Sequence, residues 1–490
     1  MKILLAIIFS VLVITTSYSQ EHLRFEDYFT NETMRIDYHH IGDSKTELFT
    51  IDKLYTYGIW AGSTKNLIDN FNNGKYYVKV YDAASNKLIS SKGFDSYFGE
   101  YQTSANASKG IKKTYHESAL IPFPKAQIKF VLEKRDPENK LKELFAAEID
   151  PGDVAIIKDK IVDAAVKVFK SVYNGDPQKK VDVAIISEGY TANELGKFRA
   201  DLEKFSQILF TQEPFQSNKE KFNIYGVYKP SEESGTDEPP ADIFKNTVLN
   251  STFNSLGSER YLLTEDNKTL RDLAAHVPYD ALFIMVNHKK YGGGGIYNWC
   301  CTFTVDNQWH KYLFLHEFGH SFAGLADEYY TSDVAYEDFF KQTVEPVEPN
   351  ITALLDTTNL KWEKWISPGI GLPSFWEKKE FEEMDYKWQN ERRALNIKVA
   401  ELKRNRAPKQ EILETEKEYN LKDKQHAAEV DRFLQKTKNY RKIGAFEGAG
   451  YSPKGLYRPM IDCIMFSKGD KPFCKICEEA ILKVIQFYSE

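Results

Sequence analysis

The segment His316-Glu317-Phe318-Gly319-His320 sets two imidazoles four positions apart, with a carboxylate beside the first. On a helix, positions i and i+4 share one face a turn apart, so both rings can converge on a single ion. Glu317 is rotated away from that pair and does not easily join as a ligand. It is placed to take a proton from a metal-activated water and later deliver it to a leaving amine. Two neutral imidazoles with an adjacent base are the elements of hydrolytic zinc chemistry. The plain alternative is a pair of histidines on a solvated helix face, and chance alone produces this spacing in about one such chain in a hundred.

The flanking residues favour the metal. From Trp309 to Leu325 there are few helix breakers, and Phe314, Leu315, Phe318, Phe322 and Leu325 fall in one stripe. His316, Glu317 and His320 fall opposite, so the apolar face can bury against a sheet while the histidines face a site. A third ligand is expected where the chain turns back, at Gly324 and the acidic pair Asp327-Glu328. In the metzincin pattern a Gly follows the second His by three residues and the last ligand lies three further on. Here Gly324 comes four after His320, while Asp327 keeps the second step. The expected ligands are therefore His316, His320 and Asp327, with Glu328 next and Glu337 a weaker candidate that needs a second helix. One Zn2+ per chain and Glu317 as the catalytic base complete the expected site. Met465, after Cys463-Ile464, fits a turn beneath the metal, although a lone Met is usually core filler. Gly292 to Gly295 reads equally as an edge strand for substrate backbone or as a flexible loop. Tyr451 and Tyr457 are the candidates for stabilising an oxyanion.

Five Cys occur, Cys300, Cys301, Cys463, Cys474 and Cys477. Cys474-Lys475-Ile476-Cys477 could hold structural zinc only with further ligands nearby, and a disulfide is the plainer reading.

These residues need a scaffold. Up to about residue 150 the pattern is β: 75–82 and 126–133 alternate polar with apolar or aromatic residues, between Gly-, Asn-, Ser- and Pro-containing breaks. An antiparallel β-sandwich-like domain over 20–150 is expected. Beyond it, buried-strand signals at 181–186, 222–228 and 279–286 alternate with a helical pattern at 192–209. Residues 377–441 are rich in Glu and Lys, with apolar residues at three- and four-residue intervals and Pro408 as a divider. They read as a helical hairpin inserted in a catalytic domain spanning 151–490. The expected fold class is α+β.

With 490 residues, two domains are the default. The net charge of −6 carries no basic footprint for nucleic acid. Lys2 and the apolar run to Ile14, ending in Ser17-Tyr18-Ser19, read as a signal peptide over 1–19, cleaved near Ser19-Gln20. That run is too short to span a bilayer, no other stretch reaches the length needed, and a secreted, periplasmic or cell-surface location is expected.

The stretch His316 to Tyr330 (HEFGHSFAGLADEYY) resembles the signature of the bacterial IgA-peptidase-type zinc metallopeptidases. Ser187 to Thr191, Pro230 to Pro239, Phe446 to Tyr451, Arg458 to Met465 and Phe473 to Cys477 fit as well, together covering about 160–485. The resemblance implies a single zinc, a metzincin-like fold and endopeptidase activity on protein or peptide substrates; it does not imply immunoglobulin A as the substrate. A secreted glycan- or protein-binding protein on the same fold is the competing reading, against which the intact Glu317 argues. A serine hydrolase finds no G-x-S-x-G elbow.

Overall fold

A computed structural model describes residues 23–331 and 340–489. The expected signal segment and Glu337 lie outside the described residues.

The N-terminal region is two antiparallel sheets over one core. One has the order β2-β1-β5, with β1 Phe29–Gly42, β2 Glu47–Ile59 and β5 Lys113–Pro124. The other has the order β4-β3-β6-β7, with β3 Tyr76–Asp82, β4 Leu88–Phe94, β6 Ile128–Arg135 and β7 Leu141–Ile149. Alternation decides the faces: Met34, Ile36 and Ile121 of the first sheet pack with Val78, Val80, Phe130 and Leu132 of the second. This region is fastened to the next by Arg35, fully buried, which reaches Asp37 at 2.7 Å and Asp272 at 2.6 Å.

The second region is built on a mixed six-stranded sheet, order β12-β13-β11-β9-β10-β8. Its strands are β8 Lys167–Val172, β9 Val181–Glu188, β10 Phe222–Tyr228, β11 Ala281–Val286, β12 Gly293–Ile296 and β13 Cys300–Thr304. The inner four are parallel and the two edges antiparallel. Every residue of β9 is buried, as an apolar run covered on both faces requires. Helix α1 (Leu195–Leu209) lies on one face and α2 (Asn267–Ala274) on the other.

Helix α3 (His310–Ala323) carries the motif. Its Phe314 ring stacks on Phe283 at 4.6 Å and Phe318 meets the same ring at 4.7 Å, so the expected stripe seats on β11 and β13. Burial of each such ring stabilises by about 1.5–3 kcal/mol. The helix stops two residues short of the expected Leu325. Gly324 takes the left-handed conformation, φ 61°, which lets the chain reverse at once.

Residues 377–441 form two long helices, α4 (Lys378–Arg404) and α5 (Lys409–Lys436). At their root Phe381, Val430 and Leu434 join the same core as the sheet, so the hairpin is continuous with this region. At its tip Lys403 pairs with buried Glu238 at 3.1 Å. A two-stranded hairpin, β14 (Phe446–Ala449) and β15 (Ser452–Arg458), and helix α6 (Lys475–Tyr488) complete the fold. Among the described residues no helix is long and apolar enough to cross a membrane.

Candidate metal centre

α3 presents His316 and His320 on one face, their Nε2 atoms 3.2 Å apart. After the Gly324 reversal, Asp327 Oδ1 comes to 3.0 Å from His316 Nε2 and 3.2 Å from His320 Nε2. The extra residue before Gly324 thus lengthens the helix without keeping Asp327 from the pair.

Backbone carbonyls set the tautomers. His316 Nδ1 lies 3.0 Å from the Ile464 carbonyl, and His320 Nδ1 lies 2.5 Å from that of Leu325. A carbonyl only accepts, so each Nδ1 carries a hydrogen and each Nε2 is left facing inward to offer its lone pair to a metal. Two lone pairs and a buried carboxylate oxygen that lacks a hydrogen-bond partner then face one another. Three acceptors converge stably only on a cation. Tetrahedral zinc about 2.0–2.1 Å from each donor separates ligand atoms by about 3.3 Å, close to the spacing found, so the residues fit zinc.

The electrostatics agree. Burial opposes ionisation of Asp327, but the two imidazoles override it and hold its pKa far below the ordinary value. Burial likewise pulls His320 down, yet Asp327 and Glu317 outweigh it and bring its pKa to about 9. In metal-free protein a proton therefore takes the cation's place. Burial raises the pKa of Glu317, which lines the same cleft, making it a stronger base than an exposed glutamate.

Strand β12 runs beside α3 at van der Waals distance. A Cβ on Gly295 would fall 2.4 Å from the Glu317 carbonyl oxygen, and one on Gly293 would fall 2.9 Å from Glu317 Oε1. The glycines form an edge strand paired with β13, and close approach explains them. Its outer edge is closed at Gly293, which bonds to Arg260 and Leu262.

Met465 is fully buried against Gly319 between the two histidines, and its carbonyl accepts from Glu328 N–H at 2.9 Å. Tyr451, held at the β14–β15 turn, donates its hydroxyl to Asp327 Oδ2 at 2.5 Å. Tyr457 instead pairs with Thr352 and is not part of the cleft lining. Glu328, the second candidate ligand, points away: its Oε1 lies 3.4 Å from Cys477 Sγ. The expected disulfide is not formed. All five Cys are free and buried, and Cys474 and Cys477 hold their sulfurs 3.4 Å apart. Arg260, Tyr312 and Tyr329 also line the cleft, and the spacing of the motif alone pointed to none of them.

The cleft draws walls from the N-terminal region (Asp95, Glu100), from β12 and α3, and from the hairpin (Trp388, His426). This is the layout of a metallopeptidase, and sequence comparison agrees. The family model described as IgA Peptidase M64 matches residues 166–485, and that of the Peptidase M64 N-terminus matches 24–146. No curated protein matches the chain. The first of these models covers most of the chain and contains every residue of the metal centre, and the chain belongs to the IgA peptidase M64 family.

Proposed function

We propose that the protein is an exported zinc endopeptidase with a metzincin-like catalytic domain over 151–490, preceded by a sandwich-like domain over 20–150. In this reading residues 1–19 are a signal peptide and the enzyme acts in the periplasm, at the cell surface or outside the cell. Its substrates are extracellular proteins, of which immunoglobulin- or glycoprotein-type chains are candidates. The observation that carries the reading is the convergence of His316 Nε2, His320 Nε2 and Asp327 Oδ1 within 3.2 Å in a cleft that also contains Glu317.

These three residues would hold zinc, which when bound would supply Lewis-acid polarisation of a carbonyl and lower the pKa of a water. The chain's own groups do the rest. The Ile464 and Leu325 carbonyls fix both rings, and the Tyr451 hydroxyl holds the Asp327 carboxylate by Oδ2, leaving Oδ1 for the ion. Glu317 takes a proton from the attacking water and passes it to the departing amine. Substrate backbone enters along β12 beyond Gly293, between the hairpin and the N-terminal region. An extended chain laid there would pair through backbone hydrogen bonds.

The test is Glu317→Gln. Cleavage in a mixed pool of extracellular proteins is expected to fall by about 10²–10⁴-fold while the metal is retained. A wild type that keeps its zinc and cuts nothing would instead favour a binding protein on this fold.

A further inference from the structure

Directly behind the catalytic cluster lies a second group of metal-ligating side chains that the proposed hydrolysis does not use. Glu328, Cys463, Cys474 and Cys477 are all buried, and one donor atom from each lies within 4.8 Å of the others. Cys477 Sγ is 3.4 Å from Cys474 Sγ and 3.9 Å from Cys463 Sγ. Glu328 Oε1 is 3.4 Å from Cys477 Sγ and 4.0 Å from Cys474 Sγ. A disulfide needs sulfurs about 2.05 Å apart, and any one bridge would leave an odd thiol and the acid unmatched. Tetrahedral zinc about 2.3 Å from each sulfur spaces the sulfurs by about 3.8 Å, which the observed pairs bracket.

We propose that Cys463, Cys474, Cys477 and Glu328 bind a second, structural zinc ion. Two further observations bear on it. Glu328 Oε2 is buried without a hydrogen-bond partner, and Oε1 accepts from Asn350 Nδ2 at 3.1 Å. A carboxylate enclosed this way keeps its charge only beside a cation, because its desolvation costs several kcal/mol. Buried Arg458 gives its bonds to the carbonyls of Glu447, Gly448 and Ile461 instead. Cys463 Sγ, for its part, accepts backbone N–H groups from Cys474 at 3.2 Å and Met465 at 3.5 Å, outer hydrogen bonds of the kind that orient a metal ligand. Soft sulfurs with one hard oxygen in a closed tetrahedral set suit zinc. Binding forms three metal–sulfur bonds and one metal–oxygen bond and releases the thiol protons to solvent; nothing is oxidised or reduced.

The placement gives the ion a task. Glu328 follows Asp327 in the chain, Cys463 precedes the Ile464 whose carbonyl orients His316, and Cys474 caps α6. One ion there ties the third catalytic ligand, the Met465 turn and the C-terminal helix together.

The experiment counts metal in the purified full chain. Two zinc per chain are expected in the wild type and one in the double variant His316→Ala/His320→Ala. Cobalt(II) in that variant should give sulfur-to-cobalt charge-transfer absorption. A mercurial reagent added to the native wild type should release one zinc as the three cluster thiols react, Cys300 and Cys301 lying outside the cluster, and this needs no folded Cys variant. A double variant free of metal, a cobalt spectrum without sulfur bands, or reaction of all five thiols without release of that zinc would each overturn the site. Loss of peptidase activity with this zinc retained bears on the catalytic reading alone.

Discussion

Asp327 and Glu328 are neighbours in the chain, yet they serve clusters of opposite character. Asp327 closes a set with two imidazoles that opens to a cleft, where the His320 side chain keeps 13% of its exposure. Glu328 closes a set with three thiols that is sealed on all sides, with Glu328 and Cys477 fully buried. Open sites with three protein ligands do chemistry, and closed sites with four hold structure. Because the two residues are adjacent, in the proposed reading Asp327 is positioned partly by the set that Glu328 joins.

The comparison breaks most visibly at these two residues. Asp327→Ala removes a ligand, and zinc affinity at the site lost in His316→Ala should fall more than about 100-fold, beyond the cost of an outer-shell change. Glu328→Gln should leave that affinity within about tenfold while lowering zinc at the thiol cluster. Chelator competition on each variant reads both, and the reverse ranking would exchange the roles assigned here.

A second difference is proton competition. Because Asp327 and Glu317 hold the metal-free His320 at a pKa of about 9 against its burial, zinc must expel that proton. The protonated form dominates below pH 9, so affinity at the catalytic site should rise about tenfold per pH unit from 7 to 9 and then level off. A flat profile in an apo-protein titration would mean that His320 is neutral before the metal arrives.

The two clusters also differed in legibility. His316, Glu317, His320 and Asp327 fall within one helix and its first turn, where periodicity and turn chemistry place side chains directly. Cys477 and Glu328 stand 149 positions apart, and only tertiary packing brings them together. Hence Cys474-x-x-Cys477 read as a disulfide for want of visible partners. The same divide holds for the scaffold. β10 and the two helices of the hairpin follow their patterns closely, because a short buried run and three- to four-residue spacing are local signals. Gly292 to Gly295 stayed ambiguous since poly-Gly has no strand propensity of its own. What makes β12 a strand is pairing to β13 and the room that α3 demands.

That room can be tested. In Gly295→Ala the new methyl would meet the Glu317 carbonyl and His320 Cβ, neither the free end of a flexible chain. Overpacking of this kind costs about 1–3 kcal/mol, read as a Tm lowered by several degrees. The thiol-cluster zinc should stay in place, since β12 does not touch it. An unchanged Tm would show that α3 and β12 tolerate more separation than their contact suggests.

The smallest expected effect sharpens the parallel between the clusters, each of which has a neutral side chain from outside the set donating to its carboxylate. Tyr451 holds Asp327 by Oδ2, and Asn350 holds Glu328 by Oε1. Tyr451→Phe removes only the hydroxyl and leaves the ring, so Asp327 keeps its place but loses the bond that orients its second oxygen. Zinc affinity at the catalytic site should drop about tenfold, the lower end for an outer-shell partner. The thiol cluster, oriented by Asn350, should be unaffected. Equal losses at both would mean that the Asp327-Glu328 segment moves as one rigid piece, and that Tyr451 positions the pair together.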